Sequence, residues 1–251
     1  MNGPAALLEI CAGSVESALA AARAGARRIE LCAALEAGGV TPGAGMIRAV
    51  KERLGATAVN VLVRPRGGDF LYTAAEKAAI MGDIRTAMEC GADGIVVGAL
   101  TRDGRIDVDF CRCMLAEAGG MDTTLHRAFD MCRDAEEALE CAVSLGFKRI
   151  LTSGQAATAE LGTPLIAALV ERAAGRISIM PGGGVNAGNA RGIIAATGAR
   201  EIHASAAVAR PSLMEYRRAG VGMSAGPADE YSMRETSEGE ARAIMAALEG
   251  R

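Results

Sequence analysis

The chain has 251 residues, with 27 Lys and Arg against 30 Asp and Glu for a formal charge of −3, and half of its residues are hydrophobic. The charge balance lacks the basic excess of a nucleic-acid binder, no Trp and 3% aromatics leave little for base stacking or a membrane aromatic belt, and the apolar fraction excludes a disordered chain. No apolar run approaches the ~18 residues of a membrane span, residues 1–12 lack the basic region of a signal peptide, and seven scattered Cys then point to reduced thiols in the cytoplasm.

Short strand-like runs alternate with Ala-rich helical segments along the chain. The runs fall at residues 7–11, 28–32, 58–64, 94–98, 123–127, 149–152, 177–180 and 201–204. Ser14 reads as the N-cap of the first helix, and Gly25, Gly91, Gly146, Gly175 and Gly198 read as stops leading into the next strand. Eight such units without a linker predict one (β/α)8 barrel domain over 1–251, with its core at 7–205. A doubly wound sheet would carry a Gly-rich fingerprint after its first strand, and Cys11-Ala12-Gly13-Ser14-Val15-Glu16 has none. Residues 206–234 are expected to be a loop at the barrel mouth, made mobile by Gly220, Gly222 and Gly226. Residues 235–249 are expected to form the last helix, with Ala241, Ile244, Met245 and Leu248 on one face.

Barrel strands alternate between interior and helix layer, and active sites sit at their C-terminal ends. With Leu8, Ile10, Ile29, Val61, Leu125 and Ile202 turned to the helices, Glu9, Cys11, Glu30, Cys32, Asn60, Arg64, Thr124, His126, Glu201 and His203 face inward. Burying such groups alone costs several kcal/mol each, so Glu9, Glu30, Arg64 and His126 are expected to form one hydrogen-bonded network. Glu9, Glu30, His126 and His203, with Asp130 beyond the fifth strand, are candidate proton-transfer residues. No Lys is expected inside, which argues against Schiff-base chemistry.

Met180-Pro181-Gly182-Gly183-Gly184-Val185 lies between a strand and a helix, where backbone N–H groups approach anions. Gly182, Gly183, Gly184 and Ser205 are therefore candidate anion contacts, with Arg64 and Arg66 as the cations. Cys111 and Cys113 point apart on a helix and cannot chelate. Cys11 and Cys32 share parity at the ends of adjacent strands, which places two soft sulfurs within reach of one ion; packing residues are the alternative reading.

The stretches ELC, VRPRGGDFLY followed by MGDI, GADGIVVGALTRDGRIDV, HRAFD, RILTSG, MPGGGVNAGN and EIHAS, in order between Leu7 and Ser205, resemble the CutC family, named for copper homeostasis. The resemblance implies a barrel, a cytoplasmic location, homodimers or higher homo-oligomers, and Cu(I) binding through Cys. Pro181 stands where the family usually has Ala before its glycines, and the tail beyond Arg210 matches poorly. Two functions stay open. One is copper handling by Cys11 and Cys32 with Met180 as a further sulfur. The other is an enzyme that binds a small phosphorylated or carboxylated substrate and exchanges protons through the Glu and His residues. Neither reading involves nucleic acid or a membrane.

Overall fold

A computed structural model describes residues 6–218, 220–222 and 230–250. The eight parallel strands are β1 (Leu7–Ala12), β2 (Arg28–Leu31), β3 (Ala58–Leu62), β4 (Gly94–Val97), β5 (Asp122–Leu125), β6 (Arg149–Thr152), β7 (Ser178–Pro181) and β8 (Glu201–Ala204). They pair in chain order from β1 to β7, β8 pairs with β1, and a bridge from Gly182 to His203 joins the last two into a closed cylinder. Helices α1 (Val15–Ala24), α2 (Ala44–Lys51), α3 (Ala74–Glu89), α4 (Val108–Glu117), α5 (Ala135–Leu145), α6 (Thr163–Ala173), α7 (Ala190–Thr197) and α8 (Glu238–Glu249) surround it. This is the (β/α)8 architecture expected from the repeat.

Strand parity sorts the side chains into two layers. Leu8, Ile10, Ile29, Val61, Leu125 and Ile202 join the large apolar layer between sheet and helices. Cys11, Cys32, Leu62 and Val96 form a separate small cluster inside the barrel. Local chemistry sets the ends of the elements. Ser14 Oγ accepts from Ser17 N at the start of α1, and Gly25, at φ 100°, closes it in a left-handed conformation. Thr73 and Glu76 form a capping box on α3.

β3 and β5 stop two residues earlier than their apolar runs suggest, because side chains take over backbone hydrogen bonds there. After β3 the Arg64 N–H donates to Thr41 Oγ1. After β5 His126 caps a 3-10 turn (Arg127–Met131), its Nδ1 accepting from Ala128 N. The tail also differs from a plain loop. Two further strands, β9 (Ala207–Pro211) and β10 (Ser232–Thr236), form an antiparallel ribbon, so the helix starts at Glu238 and not at residue 235. Ala241 and Ile244 are buried as α8 packs beside α1 and α7. Gly226 lies outside the described residues.

Candidate functional site

Glu9 on β1 is fully buried and has two partners. Its Oε1 lies 2.8 Å from His203 Nδ1 on β8, and its Oε2 accepts from Arg28 Nε on β2. On its other side the His203 ring presents Nε2 to Glu30 Oε2 at 3.6 Å. Glu30 neighbours Cys11, whose Sγ lies 3.5 Å from Cys32 Sγ. The register makes this cluster possible: Glu9 pairs with His203 across β1 and β8, and Cys11 pairs with Glu30 across β1 and β2.

The electrostatics follow from burial and charge. Burial alone would raise the Glu9 carboxyl, but the hydrogen bond from His203 and the charge of Arg28 hold it at about 2. Burial works against protonation of His203, and the Glu9 hydrogen bond with the charges of Glu30 and Glu9 raises its pKa regardless. Burial pushes the Glu30 carboxyl up; the charge of His203 opposes this and that of Glu9 adds to it. The hydrogen bond with Cys32 and burial push the Cys11 thiol well above its usual range. An imidazole between two carboxylates can relay a proton, and the sulfurs beside it are donors for a soft cation.

Towards the N-terminal ends of the strands the polar interior continues. Arg28 Nη2 bridges to Glu201, Arg149 Nε donates to Glu201 Oε2 at 2.8 Å, and Arg149 Nη1 donates to Asp122 Oδ2 at 2.6 Å. Arg28 and Arg149 carry the network, and the sequence reading missed both. The signal was available: Arg28 sits two residues before inward Glu30, and Arg149 opens β6 with the parity of Leu151. Met180 belongs to this charged group. Its Sδ lies 3.3 Å from Arg28 Nη2, where a guanidinium repels a cation, so it does not join the thiols.

The single network expected for Glu9, Glu30, Arg64 and His126 divides in two. No hydrogen bond among the described residues links Arg64 or His126 to Glu9 or Glu30. Arg64 Nη1 donates to the carbonyls of Ala37 and Gly39, and Nη2 to that of Gly68, because the loops after β2 and β3 leave these acceptors uncovered. His126 is buried beside Phe70, with ring centroids 4.9 Å apart, and Arg64 lies over the same Phe70 ring. A Cβ at Gly98 would come within 2.8 Å of the imidazole, so only Gly lets β4 pass so close. Burial and the nearby Arg64 charge pull the His126 pKa down to about 3.

The remaining candidates lie around the mouth. Arg66 is tied to Glu76 at 2.6 Å and to Asp69 at 3.0 Å, so both candidate anion arginines serve their own loops. Asp130 is saturated: it accepts from Arg127, Thr152, Ser153 and Gln155, which makes it an organiser of the β6 loop. Ser205 Oγ meets Ala207 N at 3.4 Å. Gly182 N–H donates to Thr152 O. Gly183 and Gly184 have φ of 104° and 74°, and their N–H groups make no hydrogen bond among the described residues. A Cβ at Gly183 would sit 3.5 Å from Arg127 Nη1. Arg127 is the second residue of HRAFD, and the sequence alone gives it no role. Cys111 is buried and Cys113 exposed, on opposite faces of α4. No lysine is buried among the described residues.

Comparison with known proteins gives consistent results. The CutC family matches residues 6–208. A CutC family protein of Chromobacterium violaceum is 49% identical over 243 residues, covering 97% of this chain and 98% of its own. The human copper homeostasis protein cutC homolog is 46% identical over 241 residues, 96% of this chain and 88% of its own. The solved structure of CutC from Streptococcus agalactiae superposes with a TM-score of 0.77 at 35% identity, over 80% of this chain and 98% of that one. Phosphoribosylanthranilate isomerase from Thermotoga maritima, at 13% identity and a TM-score of 0.58, shares the fold alone.

Proposed function

We propose that this chain, which belongs to the CutC family, takes part in copper homeostasis by holding Cu(I) between Cys11 and Cys32. One observation carries the reading: two free thiols from adjacent strands lie 3.5 Å apart inside the barrel. Thiolate donors suit Cu(I), so the donor set fits the ion the relatives are named for. Copper supplies no step here; the residues bind it, and Leu62 and Val96 pack beside the sulfurs. A cytoplasmic location and a homodimer or higher homo-oligomer belong to the same reading. No helix among the described residues is long and apolar enough to cross a membrane. Competition against a chromophoric Cu(I) chelator tests the assignment. Cys32→Ser should lose at least tenfold in affinity and Cys113→Ser none. The reverse order, or weak binding by the unaltered chain, refutes it.

A second reading is an enzyme on a small anionic substrate. The observation favouring it is the pair of N–H groups at Gly183 and Gly184, without a hydrogen bond among the described residues, beside Arg127, whose Nε and Nη2 are held by Asp130 and Ser153. Backbone N–H groups and a guanidinium suit a phosphate or carboxylate. Inorganic phosphate titrated by calorimetry should bind the unaltered chain at least tenfold more tightly than Gly183→Val or Arg127→Gln. Equal affinities in all three would remove this site.

A further inference from the structure

The thiol pair does not stand alone. Cys11 Sγ, one Glu30 oxygen and one His203 ring nitrogen lie within 4.8 Å of one another, and Cys32 Sγ is 3.5 Å from Cys11. We propose that Cys11, Cys32, Glu30 and His203 together form a four-ligand site for a divalent cation of the zinc class, with Glu9 as the residue that positions the imidazole.

Geometry carries the proposal. A tetrahedral site with ligands at roughly 2.0–2.3 Å has sulfur–sulfur edges of roughly 3.8 Å and nitrogen–oxygen edges of roughly 3.4 Å. Two opposite edges are present: Cys11 to Cys32 at 3.5 Å, and His203 Nε2 to Glu30 Oε2 at 3.6 Å. Cys11, Glu30 and His203 lie within 4.8 Å of one another and Cys32 stands at the edge of that group beside Cys11, so closing the site around an ion draws the Cys32 sulfur inward by side-chain rotation.

The support behind the histidine has the form metal sites use. A ligating imidazole commonly donates its other N–H to a carboxylate, which fixes tautomer and ring plane. His203 Nδ1 faces Glu9 Oε1 at 2.8 Å, and Glu9 is itself anchored through Oε2 by Arg28. Nε2 is thereby the free donor, on the side of the ring that meets Glu30. The donor set also points to the ion. Two thiolates would satisfy Cu(I), but a carboxylate oxygen and an imidazole beside them match the mixed sulfur, nitrogen and oxygen coordination of zinc.

The proposal shares its two thiols with the Cu(I) reading and adds Glu30 and His203, so the test separates them. The whole chain is stripped with chelator and titrated with Co²⁺ as an optical probe, then with Zn²⁺ against a chromophoric chelator, and each variant is also titrated with Cu(I). The expected result is one ion per chain, Co²⁺ absorption of a tetrahedral centre with sulfur-to-cobalt charge transfer, and displacement by Zn²⁺. Glu30→Gln and His203→Asn should each lower Zn²⁺ affinity at least a hundredfold while Cu(I) binding changes less than threefold. Glu9→Gln should lower Zn²⁺ affinity by about 10–100-fold and leave the sulfur-to-cobalt band, as a residue acting through the imidazole does. If His203→Asn fails to fold, Glu30→Gln decides alone. Zinc affinity unchanged in Glu30→Gln overturns the four-ligand site and leaves the Cu(I) reading intact. Octahedral cobalt spectra, or no Zn²⁺ binding by a chain that binds Cu(I), overturn it as well. Loss of both metals in Cys32→Ser together with retention of Cu(I) in Glu30→Gln supports both readings.

Discussion

Between pH 7 and pH 4.5 the unaltered chain is expected to lose about 2.5 kcal/mol more stability than His126→Asn. Burial, then the charge of Arg64, pull His126 from an ordinary imidazole value to about 3. In the unfolded chain it protonates near its usual value of 6.5. Between the two values the unfolded state holds more protons, so stability is complete above the unfolded pKa and falls as the pH drops through that window. Nδ1 accepts from Ala128 N, so the neutral ring carries its proton on Nε2, which has no hydrogen-bond partner among the described residues. Asn keeps an oxygen acceptor for the turn and does not titrate. Urea unfolding of both proteins at half-unit pH steps measures the difference. Parallel stability curves would mean that His126 titrates in the folded state as it does in the unfolded chain, and that the Phe70 pocket is wetter than the structure shows.

Much of the architecture was legible from periodicity. The eight βα units needed only short apolar runs, Gly stops and caps such as Ser14, because each unit is local in sequence. Strand parity also sorted interior from exterior, since a closed barrel leaves each strand residue two directions. What parity cannot give is direction beyond the strand end. Arg64 has inward parity, but its long side chain turns to carbonyls of its own loops, and which carbonyls lie open depends on how residues 33–40 and 65–72 pack. The surroundings of Asp130 were hidden for a related reason: the loop after β6 folds over it and fills its lone pairs. Arg28 and Arg149 share the inward parity of Glu30 and Leu151, but parity alone does not say which groups they meet. Only closure of the cylinder shows that both guanidinium groups meet at Glu201. The ribbon of β9 and β10 gave no signal because its two strands are five residues each and pair across a long intervening segment.

Arg28→Met is expected to destabilise the chain by about 3 kcal/mol, at the lower end of the cost of breaking a buried ion pair. Arg28 is 6% exposed and joins Glu9 to Glu201; its removal leaves two buried carboxylates short of a counter-charge. The loss stays at the lower end because Glu9 keeps His203 and Glu201 keeps Arg149. Met matches the stem in volume, so cavity formation contributes little. If charge imbalance is the cause, neutralising one carboxylate repairs part of it. Arg28→Met combined with Glu201→Gln should therefore be more stable than the sum of the single losses predicts, by about 1–2 kcal/mol, as interacting neighbours are. Salt separates this network from surface pairs. Raising the ionic strength screens the exposed Arg23–Glu238 pair and should leave the effect of Arg28→Met unchanged. The same variant also bears on function, since Arg28 anchors Glu9 and Glu9 orients His203. Chemical denaturation with the double-mutant cycle at two salt concentrations is the measurement. A single-variant loss under 1 kcal/mol with additive double-mutant energies would show that Glu9 and Glu201 are satisfied without Arg28, and that the polar interior is a set of independent pairs.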